Sequence, residues 1–347
     1  MLDITWDDDT SYAFSNPHLS QTDRDRVKPF LPGHIFLTTS GSRKLKVVAL
    51  SKLAFLTSAL AVNQHIDAAS KDIWINPLPH FHVGGLSIYA RAHLSKSYVY
   101  RYDRKWNSET WTEFVQAKRG TLTSLTPTQL FDLVEKQHKV PTRLRVLFVG
   151  GGPLHEGLYE QAKALGWPIM PTYGMTEMCS QIATADLKSS RLKLLPHVEA
   201  KRSSEGRLLV KSKALFTGYY EPDFIDPKID GWFETEDLVD LEGEYLIPRG
   251  RGSDILKIKG ELVNLFHLEE VLESLKAKLQ CKMETAVIPK VDARAGYKLY
   301  LYHTLRDVAP LLEAFNKSVI PEAKITEAVF VPALPKNSLG KVIKTLE

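Results

Sequence analysis

The chain of 347 residues predicts an α/β fold in two domains. Short apolar strands alternate with helix-length segments through the first half, the pattern of βαβ units around a mostly parallel sheet. After about Leu187 the pattern changes to short strands joined by tight turns. A glycine-punctuated basic segment, Pro248 to Ser253, then sets off a tail of about 95 residues, within the usual range for a small domain. Expected is a large N-terminal domain over residues 1–250, with a β-rich subdomain at about 188–250. A small mobile α+β domain over 251–347 follows it.

Expected strands run over His34 to Thr38, Asp72 to Leu78, Ser97 to Tyr100, Thr121 to Leu125, Arg145 to Val149 and Ile169 to Thr172. Helices are expected between them at Ser51 to Ala69, Gly85 to Leu94, Ser108 to Arg119, Pro127 to His138 and His155 to Leu165. In the β-rich part, strands are expected at Gly206 to Ser212, Leu215 to Tyr220 and Glu244 to Ile247, with Glu242-Gly243 as a hairpin turn. The tail should carry helices at about Leu265 to Leu279 and Val308 to Ile320.

Composition excludes several classes. With 45 Lys and Arg against 41 Asp and Glu, the formal charge of +4 gives no footprint for nucleic acid. No apolar run reaches the roughly 20 residues of a membrane span. The acidic start, Met1 to Asp9, reads as neither a secretory signal nor a transit peptide. Cys179 and Cys281 make no disulfide framework, so a cytoplasmic location is expected. No His/Cys grouping has zinc spacing, and GxSxG is absent.

The residues that carry chemistry fall at strand ends. Thr38 to Lys46 follows the first strand with hydroxyls, one glycine and three cations, a composition that suits a loop around a polyphosphate. GxxxxGK[ST] is absent, so it is not a Walker A loop. Thr39, Ser40, Gly41, Ser42 and Lys46 are its candidate contacts; a solvated basic turn is the plainer reading. Gly150-Gly151-Gly152-Pro153 ends a strand and bares backbone that can line a flat base. A Rossmann fingerprint needs different glycine spacing. Tyr173-Gly174-Met175-Thr176-Glu177 lies 20 residues beyond that knot. It offers a ring for adenine, a hydroxyl for phosphate and a carboxylate for magnesium, a cation that prefers oxygen ligands. Singly, these are a packed tyrosine, a helix cap and a surface glutamate; the order and spacing shift the balance.

Asp237 can accept from ribose hydroxyls and Arg251 can donate to the same sugar, unless the two form a plain turn ion pair. His82 and Gly84, in Pro79-His80-Phe81-His82-Val83-Gly84-Gly85, are placed to line an acid pocket. Arg91, nine residues beyond His82 on an otherwise apolar helix, suggests a carboxylate partner. Snorkelling to the surface is its alternative. Lys341, in Pro335-Lys336-Asn337-Ser338-Leu339-Gly340-Lys341, can bring a mobile positive charge to an anionic transition state, although a lysine so near the end is more often solvated.

In this order the segments resemble the adenylate-forming acyl/aryl-CoA ligase superfamily, from about Phe36 to Lys344. The phrases Leu78 to Leu86 with Arg91, and Tyr173 to Gln181, are most similar to its 2-succinylbenzoate–CoA ligases. The resemblance implies ATP, Mg2+ and coenzyme A as cofactor and co-substrates, an aromatic acid as substrate, and menaquinone biosynthesis as setting. It assigns Lys341, Thr176 and Glu177 to adenylation, with Glu177 on the metal. Met175 joins the acid pocket, Gly260 lies beside the CoA channel, and Ser253 sits at the hinge of a domain alternation. A homodimer is a possibility the family brings.

The chain departs from the family pattern in three places. Its phosphate loop is shorter and poorer in glycine, with Lys46 in place of the loop lysine. Few residues precede that loop, so much of the first subdomain is expected to be missing. Lys257-Ile258-Lys259-Gly260-Glu261 stands where relatives carry a Ser-Gly-Gly-Glu-like segment. Two alternatives stay open: a ligase for another aryl or acyl acid, and a non-catalytic nucleotide-binding relative.

Overall fold

Residues 4–38, 46–221, 223–281, 283–305, 307–336 and Val342 are described by the computed structural model. Thr39, Ser40, Gly41, Ser42 and Lys341 lie outside the described residues.

Local signals explain where the first elements start. The opening segment supplies β1 (Tyr12–Ala13), the short helix α1 (Gln21–Asp25), β2 (His34–Thr38) and β3 (Val47–Ser51). Ser51 closes β3 and caps α2 (Lys52–His65), its side chain accepting from the Ala54 amide. Then β4 (Ile73–Asn76), α3 (Val83–Ser95), β5 (Tyr98–Arg101), α4 (Ser108–Ala117) and β6 (Leu122–Leu125) alternate. In α5 (Pro127–Glu135), Thr126 and Gln129 form a reciprocal capping box and Pro127 fills the first turn, where its missing N–H is harmless. The unit ends with β7 (Val146–Val149), α6 (Glu156–Ala164) and β8 (Ile169–Met175).

Strands β5-β4-β6-β7-β8 pair parallel, as the alternation predicts. On one face α4, α5 and α6 bury Trp111, Leu130, Leu133 and Tyr159 together with Trp167. Full burial of each of these large side chains contributes about 2–3 kcal/mol. The other face carries α2 and α3, which also pack against the smaller sheet of β2 and β3 through Phe55, Ala59, Leu86 and Ala90. Helix α2 is therefore apolar around most of its circumference, as a helix between two layers must be.

After β8 the chain forms β9 (Ser180–Thr184), β10 (Leu192–Leu194), β11 (Glu199–Arg202), β12 (Arg207–Lys211), β13 (Gly218–Glu221), β14 (Asp223–Ile225), β15 (Phe233–Glu242) and β16 (Tyr245–Arg251). The β-rich segment shares the sheets of the first half. Strand β9 pairs antiparallel with β8, and β10, β16, β15, β12 and β11 extend the same sheet to 11 strands. Strands β13 and β14 join β1, β2 and β3 in a 5-stranded sheet. An open edge on β8 is a row of unpaired backbone groups, and the meander satisfies it.

The segment from Pro248 to Arg251 is the end of β16, and only Gly252–Asp254 forms a short 3-10 turn. The tail contains β17 (Ile255–Ile258), β18 (Glu261–Asn264), α7 (Leu265–Lys278), β19 (Thr285–Asp292), β20 (Gly296–His303), α8 (Ala309–Ser318) and β21 (Ile325–Phe330). Leu268, Leu272, Leu311 and Phe315 close its own core over β19 and β20. Among the described residues, no helix is long and apolar enough to cross a membrane.

Candidate active site

In an open parallel sheet, ligands bind beyond the carboxyl ends of the strands, where backbone groups lose their ladder partners. That edge collects most of the residues singled out above. Val149 and Pro171 are in register on β7 and β8, so Gly150, Gly151 and Gly152 emerge beside Thr172 and Tyr173. Gly151 takes φ 81 with open space where a β-carbon would stand, leaving its backbone bare.

Gly174 is required by close approach. A β-carbon there would collide with the Ser180 carbonyl and the Gln181 backbone. The cause is the turn beyond it: Thr176–Met178 form one 3-10 turn, then Cys179 and Ser180 take φ 53 and 125. A serine at that angle is strained, and the strain is held by β9 pairing back onto β8. Thr176 and Glu177 thereby stand half-buried on the turn, while Met175 ends β8 against the main core.

Tyr173, Asp237 and Arg251 form one network. The Tyr173 hydroxyl donates to Asp237 Oδ2 at 2.6 Å, and Arg251 Nε donates to Asp237 Oδ1 at 2.9 Å. Asp237 and Arg251 face each other across β15 and β16. Burial, then the Asp237 charge, holds the Tyr173 phenol well above its ordinary pKa. Burial alone would lower the Arg251 pKa, but the Asp237 carboxylate outweighs it and the net shift is upward. Each Asp237 oxygen takes one of these two bonds and keeps a lone pair for a sugar hydroxyl.

Glu177 receives the Tyr219 hydroxyl on Oε1 at 2.7 Å, and its backbone carbonyl accepts from Phe216 N at 2.8 Å. Lys46 Nζ lies 4.7 Å from the Tyr219 ring centre. Among the described residues no cluster of three or more His, Cys, Asp or Glu could cage a metal. Magnesium commonly takes one or two carboxylates and completes its shell with phosphates and water. A single half-buried carboxylate with one oxygen tethered fits that habit.

The acid side is built on β4 and α3. Asn76 donates to the Gly85 carbonyl at 2.9 Å and accepts from Leu78 N at 3.1 Å, which pins the connecting loop. His82 is the buried N-cap residue of α3, and Gly84 lies in the first turn. Arg91 is 1% exposed, so it does not snorkel. Its guanidinium lies 5.8 and 5.6 Å from the centres of the Trp74 and Phe148 rings, which stack on each other at 6.2 Å. One nitrogen, Nη2, donates to Ser180 Oγ at 3.1 Å, while Nε has no partner among the described residues. Burial pulls its pKa down to about 9, leaving it cationic at neutral pH. A buried cation without an opposing carboxylate is costly unless a ligand completes it.

A cavity of about 600 Å³ opens at the carboxyl ends of β4, β5 and β6, lined by Leu78, Phe81, Arg101, Trp106 and Gln129. Lys336 from the tail lines it as well, its Nζ paired with Glu284. Lys336 therefore reaches the sheet's carboxyl edge. Ser253 is exposed in the 3-10 turn after β16. Gly260 takes φ 97 in the exposed β17–β18 turn, with open space on its side-chain face. Sequence reasoning missed Tyr219, Ser180 and Asn76. Their roles come from cross-strand and helix–sheet contacts that no local pattern encodes.

The fold and this edge define a nucleotide-handling enzyme. The AMP-binding enzyme family matches residues 34–220, which is 187 of the 347, and the chain belongs to that family. Within it the chain is similar to the 2-succinylbenzoate–CoA ligase of Lactococcus lactis subsp. lactis, with 29% identity over 325 residues, 89% of this chain and 69% of the relative. The ligase of that name from Listeria innocua is 28% identical over 305 residues, 82% of this chain and 63% of the relative. The chain thus spans about two thirds of the length of these relatives. Among solved structures, it resembles o-succinylbenzoate CoA synthetase from Bacillus subtilis in complex with the acyl-adenylate intermediate OSB-AMP. There the TM-score is 0.78 and the identity 25%, covering 89% of this chain and 68% of that one.

Proposed function

We propose that the protein is an AMP-forming acid–CoA ligase that activates an aromatic dicarboxylic acid, 2-succinylbenzoate, in menaquinone biosynthesis. The observation that carries the choice of acid is Arg91, a buried guanidinium with no carboxylate partner among the described residues, on the helix that His82 caps. The family and the similar ligases supply the reaction class.

In the first half-reaction a substrate carboxylate oxygen attacks the α-phosphorus of ATP. The new O–P bond forms as the α–β bridge breaks, and pyrophosphate leaves. Backbone at Gly150 to Pro153 and the Tyr173 ring hold the adenine, and Asp237 with Arg251 hold the ribose. Thr176, Gly174 and the segment Thr39 to Lys46 meet the phosphates. Magnesium bound at Glu177 would neutralise charge on the phosphate oxygens. Lys341 stabilises negative charge spreading over the carboxylate and α-phosphate. In the second half-reaction the tail domain turns about Ser253 and brings Gly260 to the pantetheine path. The CoA thiolate attacks the carbonyl, a C–S bond forms, and AMP leaves with the C–O bond pair. His82, Gly84, Met175 and Arg91 line the acid. A cytoplasmic, homodimeric enzyme is the finer reading.

A screen of acids for AMP release with CoA present tests the substrate. 2-Succinylbenzoate should turn over fastest, and equal turnover of monocarboxylic acids would assign another acid. Asp237→Ala removes the acceptor shared by Tyr173 and Arg251. Since a hydrogen bond to a charged group is worth about 1.5–3 kcal/mol, AMP affinity should fall about 10- to 100-fold. Calorimetry that finds AMP bound as tightly as by the parent protein would remove Asp237 from the ribose site.

A further inference from the structure

Glu177, Tyr219 and Lys46 come from three separate parts of the chain and meet at one ring. Strand β13 pairs antiparallel with β3, placing Tyr219 opposite Val48, two residues beyond Lys46. The Tyr219 ring is 9% exposed and packs at 4.7 Å on Phe216, whose backbone amide bonds the Glu177 carbonyl. The phenol is therefore fixed by its own core. Its hydroxyl points at Glu177 Oε1, and the Lys46 ammonium sits over its face.

We propose that Tyr219 is a positioning residue for the metal-assisted step, orienting the Glu177 carboxylate and holding Lys46 beside it before the triphosphate arrives. This rests on the reading of Glu177 and Lys46 given above. The hydroxyl occupies one carboxylate oxygen, Oε1, and leaves the second oxygen to a hard cation. A glutamate otherwise has several rotamers to lose on binding a metal, and the fixed phenol removes most of that loss beforehand. The cation over the ring is attracted to its negative face and draws density from the phenol, which strengthens the O–H donor. One ring thus sets the spacing between a negative metal ligand and a positive phosphate ligand, the pair a magnesium–triphosphate complex needs.

The test uses the full chain and calorimetric binding, so it does not depend on turnover. ATP is titrated at rising Mg2+, and AMP is titrated without metal. Loss of a partner behind a metal ligand commonly weakens metal affinity 10- to 100-fold, so Tyr219→Phe should need about tenfold more Mg2+ for half-maximal ATP binding. Its AMP affinity should be unchanged, which separates positioning from a damaged fold. Tyr219→Phe keeps the ring under Lys46, so Lys46→Ala should weaken ATP binding as much in that background as in the parent. In Tyr219→Leu, which loses the ring, Lys46→Ala should matter much less. A Tyr219→Phe protein with the parental Mg2+ requirement overturns the proposal, as does one that loses AMP and ATP affinity equally. If the parent protein binds AMP but gains no ATP affinity from Mg2+, the Glu177 assignment falls first and this inference with it.

Discussion

Replacing Lys341 with alanine should slow pyrophosphate release from acid and MgATP by about 10²-fold or more, the effect of deleting one preorganised charge stabiliser. Thioester formation from a preformed acyl-adenylate and CoA should fall far less, because the lysine acts only while charge builds at the α-phosphate. Lys336 and Val342 are joined by an antiparallel bridge, and Lys336 lines the cavity at the carboxyl edge of the sheet. Rapid-quench measurement of the two half-reactions separates them. Unchanged pyrophosphate release in Lys341→Ala would take the lysine out of adenylation.

Arg91→Ala should raise KM for an aromatic dicarboxylic acid by about 10- to 100-fold, as expected for losing a charge-assisted hydrogen bond worth about 1.5–3 kcal/mol. The monocarboxylic analogue of that acid should show little change, since it has no second carboxylate to lose. Arg91 packs beside the stacked Trp74 and Phe148 rings, so the substitution also removes packing. Arg91→Met, which keeps much of that volume, should reproduce the split between the two acids. Equal KM increases for both would show that Arg91 shapes the pocket without recognising a carboxylate.

The βαβ half was legible in the sequence because its strands and helices alternate at regular lengths and three of its helices start on local capping signals. Ser51 and Asn107 cap α2 and α4, and Thr126 with Pro127 starts α5. The merging of the β-rich segment into both sheets was not legible. Tyr219 meets Val48 across a long stretch of chain, and no local pattern encodes that pairing. Strand β3 was not anticipated: Val47 to Leu50 fell between the basic loop ending at Lys46 and the helix expected from Ser51. For Arg91, the helix pattern marked an apolar face but did not say whether the side chain turns out. Its burial follows from α3 lying between the sheet and α2, with Gly85 through Ala92 all enclosed. The nucleotide-side residues were legible as a spaced set. The bonds that orient them, Tyr173 and Arg251 on Asp237 and Tyr219 on Glu177, appear only once the strands are paired.

Pyrophosphate production from ATP and Mg2+ with 2-succinylbenzoate decides whether this chain performs adenylation. Pyrophosphate should depend on the acid and appear without CoA, followed by AMP and the thioester when CoA is added. A protein that binds ATP yet releases no pyrophosphate with this or any other acid would contradict adenylation, and would be a nucleotide binder without the chemistry.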